Sequence, residues 1–232
     1  MVRRGLRNAM DLQPGAERGG RNMRCSGILM AVSSIPSRYG IGCFSGEAYA
    51  FVDFLEQAGQ KLWQILPLGP TGYGDSPYQS FSTFAGNPYF IDPETLVREG
   101  YLTREDCDAC DFGVDYEKIY QSRFALLHRA YRASRPQEDD AFLAFREGNA
   151  YWLDDYALYM AVKDAFGGKS WTLWDAEIRL REPRAMAYYR ERYADEIRFY
   201  EFLQYQFSRQ WKALKAYANG KKIRIVGDIP IY

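Results

Sequence analysis

Hydrophobic positions near the start of the chain form two short continuous runs with a helical pattern between them. The first run, residues 27–32, has the length of a strand and no polar alternation, which is typical of a strand buried on both faces of a parallel sheet. The second run covers residues 61–67. Between the runs, Ser45 can cap a helix that Gly59 ends, and its apolar face would consist of Ala48, Phe51, Val52, Leu55 and Ala58. The pattern predicts a strand–helix–strand unit with a right-handed crossover.

Residues 68–92 show neither helical nor alternating periodicity. Glycine and proline punctuate this segment, and six aromatic residues are interleaved with them: Tyr73, Tyr78, Phe81, Phe84, Tyr89 and Phe90. Structureless loops longer than about 15 residues are uncommon in compact domains and are usually functional or disordered. So many aromatic residues argue against disorder. The segment also follows the carboxyl end of a parallel strand, where α/β folds place their active sites, so we predict a substrate-contacting loop.

The region from residue 93 to residue 219 has a helical pattern almost throughout. Asp92-Pro93 opens one short helix, and Thr103 with Asp106 forms a capping box for another. Longer helices are predicted from an Asp115 cap to Ala133, over residues 152–166 and over residues 184–218.

Residues 221–228 are a third strand candidate, with Asp228 at its carboxyl end. A domain rarely terminates on such a strand without an element to cover it, so we expect the first part of a larger α/β architecture, cut short. We predict four parts: a disordered or spurious extension (residues 1–22), two strands with the substrate-contacting loop (residues 23–92), a mainly helical insertion (residues 93–219) and the third strand (residues 220–232).

The extension differs from the rest in composition. Residues 1–22 hold five arginines, four glycines and no aromatic residue, and they lack the apolar centre of a secretory signal. An Arg-rich transit peptide is the alternative, but such peptides are also rich in serine, which this stretch lacks.

Composition excludes some functions and leaves others open. The 30 basic and 30 acidic residues balance, which argues against nucleic-acid or membrane-lipid partners, and no apolar run is long enough to span a bilayer. The 19 Tyr, 14 Phe and 5 Trp residues are compatible with carbohydrate binding, because flat rings cover the apolar faces of sugars. A Tyr-rich helical core is the alternative explanation.

The four cysteines bear on metal binding and location. Only Cys107 and Cys110 have C-x-x-C spacing, and His128 is the single histidine, so partners for a structural zinc are lacking. We therefore expect no metal, and reduced thiols in a cytoplasm.

Several stretches resemble the start of the amylomaltases (4-α-glucanotransferases, or disproportionating enzymes). The longest, residues 63–80 (Trp-Gln-Ile-Leu-Pro-Leu-Gly-Pro-Thr-Gly-Tyr-Gly-Asp-Ser-Pro-Tyr-Gln-Ser), is too specific to arise by chance. One departure is Cys43, where an acidic residue is expected. The other similar stretches follow in chain order from about Met23 to the end: residues 24–29, 36–42, 85–89, 152–157, 210–217 and 225–232.

The resemblance implies an α/β fold, the N-terminal part of a (β/α)₈ TIM barrel with about three strands and a large helical insertion between the second and third. It implies transfer of α-1,4-glucan segments with retention, as in maltodextrin, glycogen or starch metabolism. Retention needs two carboxylic acids about 5 Å apart, and in this family they lie on later strands. We therefore expect no catalytic residue here, an inactive fragment, and the missing C-terminal half as a partner. The resemblance also implies a reaction without a cofactor.

The resemblance also implies substrate-binding residues. Tyr78 is similar to the tyrosine that packs against the reacting sugar, and Asp228 to the aspartate that hydrogen-bonds its hydroxyls. Tyr73 resembles a tyrosine that supports a more distant glucan contact, as does Tyr116 or Tyr120. Alternatively, Tyr78 is a core aromatic residue and Asp228 a structural carboxylate that accepts backbone N–H bonds. Asp75 reads as a turn residue rather than an acid.

Two other functions remain open at this point. One is a non-catalytic glucan-binding or regulatory protein derived from the same family. The other is a hydrolase of the wider α-amylase type, which shares the barrel but which residues 63–80 do not indicate.

Overall fold

The computed structural model describes residues 24–72, 74–108 and 114–229, and those residues fold as α/β with one parallel sheet. Its strands, β1 (Gly27–Leu29), β2 (Leu62–Gln64) and β3 (Arg224–Val226), lie side by side in that order. Backbone hydrogen bonds extend the pairing beyond the strand ends, from Met30 N–H to Gln64 O (2.9 Å) and from Ile65 N–H to Val226 O (3.0 Å). The predicted parallel arrangement of three strands is therefore present.

The two faces of the sheet have different surroundings. Ile28, Trp63 and Ile225 share one register row and pack into a core with α1 and α8. On the other face, the side chain of Leu29 is 57% exposed and that of Val226 is 39% exposed. The prediction that the first strand is buried on both faces is wrong for the described residues, because helices cover only one side of the sheet.

Eight helices occur in the described residues: α1 Gly46–Gln57, α2 Pro93–Arg98, α3 Arg104–Asp108, α4 Tyr116–Ser134, α5 Asp140–Ala165, α6 Ala176–Arg179, α7 Pro183–Arg192 and α8 Ala194–Gly220. Short 3₁₀ turns lie at Val32–Ser34, Pro88–Phe90, Pro136–Glu138 and Trp171–Leu173. Helices α2 to α8 follow β2 and precede β3 in the chain. None of the described helices is long and apolar enough to cross a lipid bilayer.

The predicted helix signals are largely confirmed. Asp92 accepts hydrogen bonds from the N–H groups of Glu94 and Thr95 at the start of α2. Thr103 and Asp106 bond each other's backbone N–H groups as a capping box. Gly59 adopts φ +69° after α1, a left-handed conformation that glycine adopts without strain.

Three details of the prediction are wrong. Ser45 does not cap α1, because its hydroxyl donates to Glu47 Oε2 (2.5 Å) instead. Helix α5 begins at Asp140 rather than at residue 152, since Asp139 caps it there by accepting from two backbone N–H groups. The predicted helix over residues 184–218 is two helices, because the chain leaves helical geometry at Tyr193 (φ −111°, ψ 31°) and α8 then packs against α7.

Helix α8 contributes to two hydrophobic clusters. Its first half supplies Phe199 and Leu203 to the core of the helical region. Its second half supplies Leu214 and Ala218 to the core beneath the sheet. This long helix therefore fixes the helical region to the sheet. The division of residues 23–232 into three parts stays a prediction, and the predicted extension, residues 1–22, lies outside the described residues.

Candidate functional site

A long loop leaves the sheet after β2 and returns to it at a closed base. Asn87 N–H donates to Leu68 O (2.8 Å), which joins the two ends, and we call the enclosed residues 69–86 the site loop. Within it, Thr71 and Ser80 form an isolated antiparallel bridge. The site loop therefore folds over the carboxyl edge of the sheet, where the sequence predicted a substrate-contacting loop.

Tyr78 and Asp228 meet at this edge. The Tyr78 hydroxyl donates a hydrogen bond to Asp228 Oδ2 (2.7 Å), and both residues are partly exposed. They are 150 positions apart in the chain, so the contact depends on the parallel pairing of β2 with β3. The two strands deliver the site loop and Asp228 to the same edge of the sheet.

The surroundings of the pair bear on the alternative readings. Tyr78 lies in none of the buried core clusters, which argues against a core aromatic residue. Asp228 Oδ1 accepts from the backbone N–H of the adjacent Ile229 (2.9 Å). Asp228 therefore has the backbone contact expected of a structural carboxylate, in addition to its bond with Tyr78. Together the two side chains offer an aromatic ring and an oriented carboxylate, which suit a hydroxylated ring compound.

Asp75 belongs to a turn in the site loop, as predicted. Its N–H donates to Gly72 O (3.2 Å), and its carboxylate accepts from the Thr71 hydroxyl (3.2 Å). Its φ of 52° is left-handed, which aspartate tolerates better than most residues. Asp75 thus stabilises the turn that leads to Tyr78.

The other predicted tyrosines fall in different places. Tyr73 lies outside the described residues. Tyr116 lines a cavity of about 120 Å³ together with Asp75, and burial raises its pKa above the usual value. Tyr120 is 51% exposed and packs its ring on Phe124 (4.8 Å between centroids). Of these predicted tyrosines, Tyr116 thus shares a cavity with Asp75 of the site loop.

Two buried glutamines on α8 hold the returning end of the site loop and the segment that follows it. Gln204 bonds the backbone of Gly86 twice, accepting from its N–H (2.8 Å) and donating to its carbonyl (3.0 Å). Gln210 accepts from Asp92 N–H (2.7 Å). A side chain at Gly86 would overlap the ring of Phe207, so glycine permits this close approach of loop to helix. Neither glutamine was predicted from the sequence, although both are polar residues on the apolar side of a long helix.

A buried cation supports the segment behind the site loop. Arg123 donates to Ile91 O (2.7 Å) and to Tyr39 O (3.2 Å). Cys43, where the family resemblance led us to expect an acid, lies with its Sγ 3.9 Å from Asp92 Oδ1. Burial raises the pKa of the Cys43 thiol to about 12 and also raises the pKa of Asp92, an effect that hydrogen bonds from Thr95 oppose. The thiol therefore stays neutral beside Asp92.

Aromatic contacts join the outer side of the site loop to α5. The ring of Phe81 lies 6.3 Å from that of Tyr159, and Lys163 Nζ lies 4.9 Å from the Phe81 ring. The ring of Phe84 lies 6.0 Å from Trp152 in a stacked arrangement. Phe81 and Phe84 nevertheless remain 39% and 56% exposed. The loop is thus held by α8 on its inner side and by α5 on its outer side.

The described residues hold no group of three or more His, Cys, Asp or Glu side chains that could bind a metal ion. Cys107 is buried, and Cys110, the other half of the C-x-x-C pair, lies outside those residues.

Comparisons with known proteins give one consistent family. The model of the family described as 4-alpha-glucanotransferase matches residues 30–232. A 4-alpha-glucanotransferase of Clostridium butyricum is 48% identical over 208 residues, covering 88% of this chain and 43% of that protein. A 4-alpha-glucanotransferase of Thermus thermophilus is 48% identical over 213 residues, covering 90% of this chain and 43% of that protein. The chain therefore spans less than half the length of these relatives.

A solved structure agrees with them. The amylomaltase from Streptococcus agalactiae in complex with acarbose superposes with a TM-score of 0.86 at 43% identity. The superposition covers 90% of this chain and 44% of the solved one.

Proposed function

Because this chain belongs to the 4-alpha-glucanotransferase family, we propose that it forms the glucan-binding part of an enzyme that transfers α-1,4-glucan segments with retention. The observation that carries the proposal is the hydrogen bond of 2.7 Å between Tyr78 and Asp228 at the carboxyl edge of the sheet. In the proposed complex, the Tyr78 ring packs against one glucose unit and Asp228 accepts hydrogen bonds from its hydroxyls. Tyr73 supports a more distant unit, with Tyr116 or Tyr120 beside it.

The proposed site binds sugar but does not itself break the glycosidic bond. A retaining transfer requires a carboxylate nucleophile and a carboxylic acid about 5 Å apart on either side of the bond. Asp228 already accepts from Tyr78 and from a backbone N–H, which suits an orienting role. This chain covers 43% of the length of each relative. We assign the two reacting acids to the part of the enzyme that corresponds to the rest of that length.

The sheet supports a barrel as the complete architecture. Helices cover one face, while Leu29 and Val226 on the other face are 57% and 39% exposed. In a TIM barrel the helix-covered face points outward and the other face lines the closed interior. We therefore propose that β1 to β3 are consecutive barrel strands, that the helices between β2 and β3 are an insertion, and that the remaining strands close the barrel.

The proposed enzyme acts without a cofactor in a cytoplasm. The thiols of Cys25 and Cys43 are reduced, which fits a reducing compartment.

Complementation tests this function. The 232-residue chain alone, incubated with maltotriose, should give no glucose and no longer chains. Adding a polypeptide that corresponds to the unmatched part of the Clostridium butyricum relative should produce both. The variant Asp228→Asn should lower that restored activity at least tenfold, because the orienting carboxylate is lost. Turnover by the chain alone would refute the assignment of the acids. Tight maltooligosaccharide binding with no restored turnover would instead favour the non-catalytic glucan-binding function.

A further inference from the structure

A second aromatic-lined cavity lies in the helical region, and neither Tyr78 nor Asp228 is among the residues that line it. It has a volume of about 280 Å³ and lies between α5, the turn at Trp171–Leu173 and the start of α7. This volume is near the lower end for ligand pockets, which measure roughly 300–1,000 Å³. The cavity is therefore of a size for one or two sugar units rather than for a long chain.

The lining of the cavity combines flat rings with an ordered charged rim. Trp174 is 8% exposed and is held in place by its Nε1–H, which donates to Lys169 O (3.2 Å), and by Tyr159 at 5.3 Å. Trp171 also lines the cavity but is 51% exposed, so part of its surface is available to a ligand. The two tryptophan rings, one exposed and one fixed, provide flat apolar surfaces against which the apolar face of a sugar can pack.

The charged groups at the rim are paired with one another. Arg181 Nη2 donates to both oxygens of Asp155 (2.8 and 3.0 Å), and Arg190 lies 3.6 Å from the same carboxylate. Arg179 donates to Thr172 O (3.0 Å). The lining holds two guanidinium groups, Arg179 and Arg181, against the single carboxylate of Asp155, so its charge is net positive and a small anion is the competing ligand to test. Paired carboxylate and guanidinium groups can also accept from and donate to neutral hydroxyls.

One side chain of the cavity lining, Tyr159, also packs against the site loop. Its ring lies 6.3 Å from Phe81, three positions after Tyr78. A row of aromatic side chains, Phe81, Tyr159, Trp174 and Trp171, thus connects the two regions. The ligand that fits both regions is a glucan chain that binds at Tyr78 and extends along these aromatic side chains.

We propose that the Trp171 cavity is a remote subsite for a glucose unit of the same α-1,4-glucan class that the enzyme acts on. The proposal rests on the function proposed above, and it adds a second point of attachment that would favour long chains over short ones. Two linked contacts raise the overall affinity because the second binding event is intramolecular.

The test uses the 232-residue chain labelled with 5-fluorotryptophan, and Trp171→Phe assigns the Trp171 fluorine signal. Maltoheptaose should shift the Trp171 signal and leave that of the buried Trp63 unchanged. In Tyr78→Ala the same shift should still appear but at a higher maltoheptaose concentration, because the first attachment is lost while the cavity lining is intact. Trp171→Ala should weaken maltoheptaose binding about fivefold. The matched control Leu173→Ala, at a residue of the same turn that is 69% exposed and does not line the cavity, should not.

Several results would overturn the subsite. Maltoheptaose binding that depends on Tyr78 but leaves the Trp171 signal unmoved would refute the subsite and leave the proposed function standing. An equal shift with the β-linked cellopentaose, or with inorganic phosphate, would refute the α-glucan assignment. A Trp171 signal that moves with protein concentration alone would identify the cavity as a contact between copies of the chain.

Discussion

Replacing Gln204 by methionine is expected to release the returning end of the site loop from α8. Methionine keeps the volume of glutamine but has no amide to bond Gly86. In the wild type, the Gln204 side chain is 2% exposed and satisfies both the N–H and the carbonyl of Gly86, at 2.8 and 3.0 Å. The variant therefore leaves two backbone groups unsatisfied in a buried environment.

The magnitude follows from those two groups. Leaving one buried donor or acceptor without a partner costs about 1–3 kcal/mol. Two groups at about 1.5 kcal/mol each give roughly 3 kcal/mol, which corresponds to about a hundredfold increase in the population in which the loop is detached.

Gln210→Met is the matched control on the same helix. Its Oε1 accepts from Asp92 N–H (2.7 Å), but its Nε2 is buried without a partner among the described residues. Methionine leaves the Asp92 N–H without this partner, but it also removes the unsatisfied Nε2, so the two effects largely cancel. We expect a net cost of about 1 kcal/mol or less.

Hydrogen exchange measured by mass spectrometry distinguishes the two variants. The peptide that contains Gly86 should exchange about a hundredfold faster in Gln204→Met than in the wild type, and within about fivefold of the wild type in Gln210→Met. Equal exchange of this peptide in both variants would refute the reasoning, because the two-bond anchor would then contribute no more than the single bond.

The remaining predictions concern two groups whose pKa is shifted by burial. Burial and, secondarily, the positive Arg132 lower the pKa of His128, whose ring stacks on Phe199 at 3.6 Å. The unfolded chain then binds a proton near pH 6.5 that the folded chain binds only at lower pH, so the free energy of unfolding should fall as the pH drops below about 6.5. The urea midpoint should decrease over this pH range in the wild type. His128→Gln should not show this decrease. Burial raises the pKa of Cys43 to about 12, whereas Cys25 is exposed. Iodoacetamide at pH 8 should therefore modify Cys25 and spare Cys43 in peptide mapping, and equal labelling would contradict the buried environment.

The position of the candidate site could be predicted from the sequence because the apolar runs show where the strands end. Two apolar runs ending before Leu68 and before Asp228 predicted parallel strands, and parallel strands bring their carboxyl ends to one edge. The structure accordingly places Tyr78 2.7 Å from Asp228. Their role as glucan ligands stays a prediction.

Other features depend on tertiary contacts that periodicity does not encode. Gln204 and Gln210 were missed because a polar residue in a helical pattern is read as solvent-facing, whereas here the helix packs beneath a loop whose backbone needs partners. The exposure of Leu29 was missed because an apolar run indicates a strand that could be buried on both faces without specifying what covers each of them. The break at Tyr193 was missed because apolar spacing continues across it.

A crystal structure of the chain with bound maltotriose tests the central claim most directly. We predict one glucose unit packed against the Tyr78 ring, with at least one of its hydroxyls within 3.2 Å of an Asp228 carboxylate oxygen. Maltotriose bound with neither contact, or Tyr78 and Asp228 found apart on different sides of the molecule, would contradict the account.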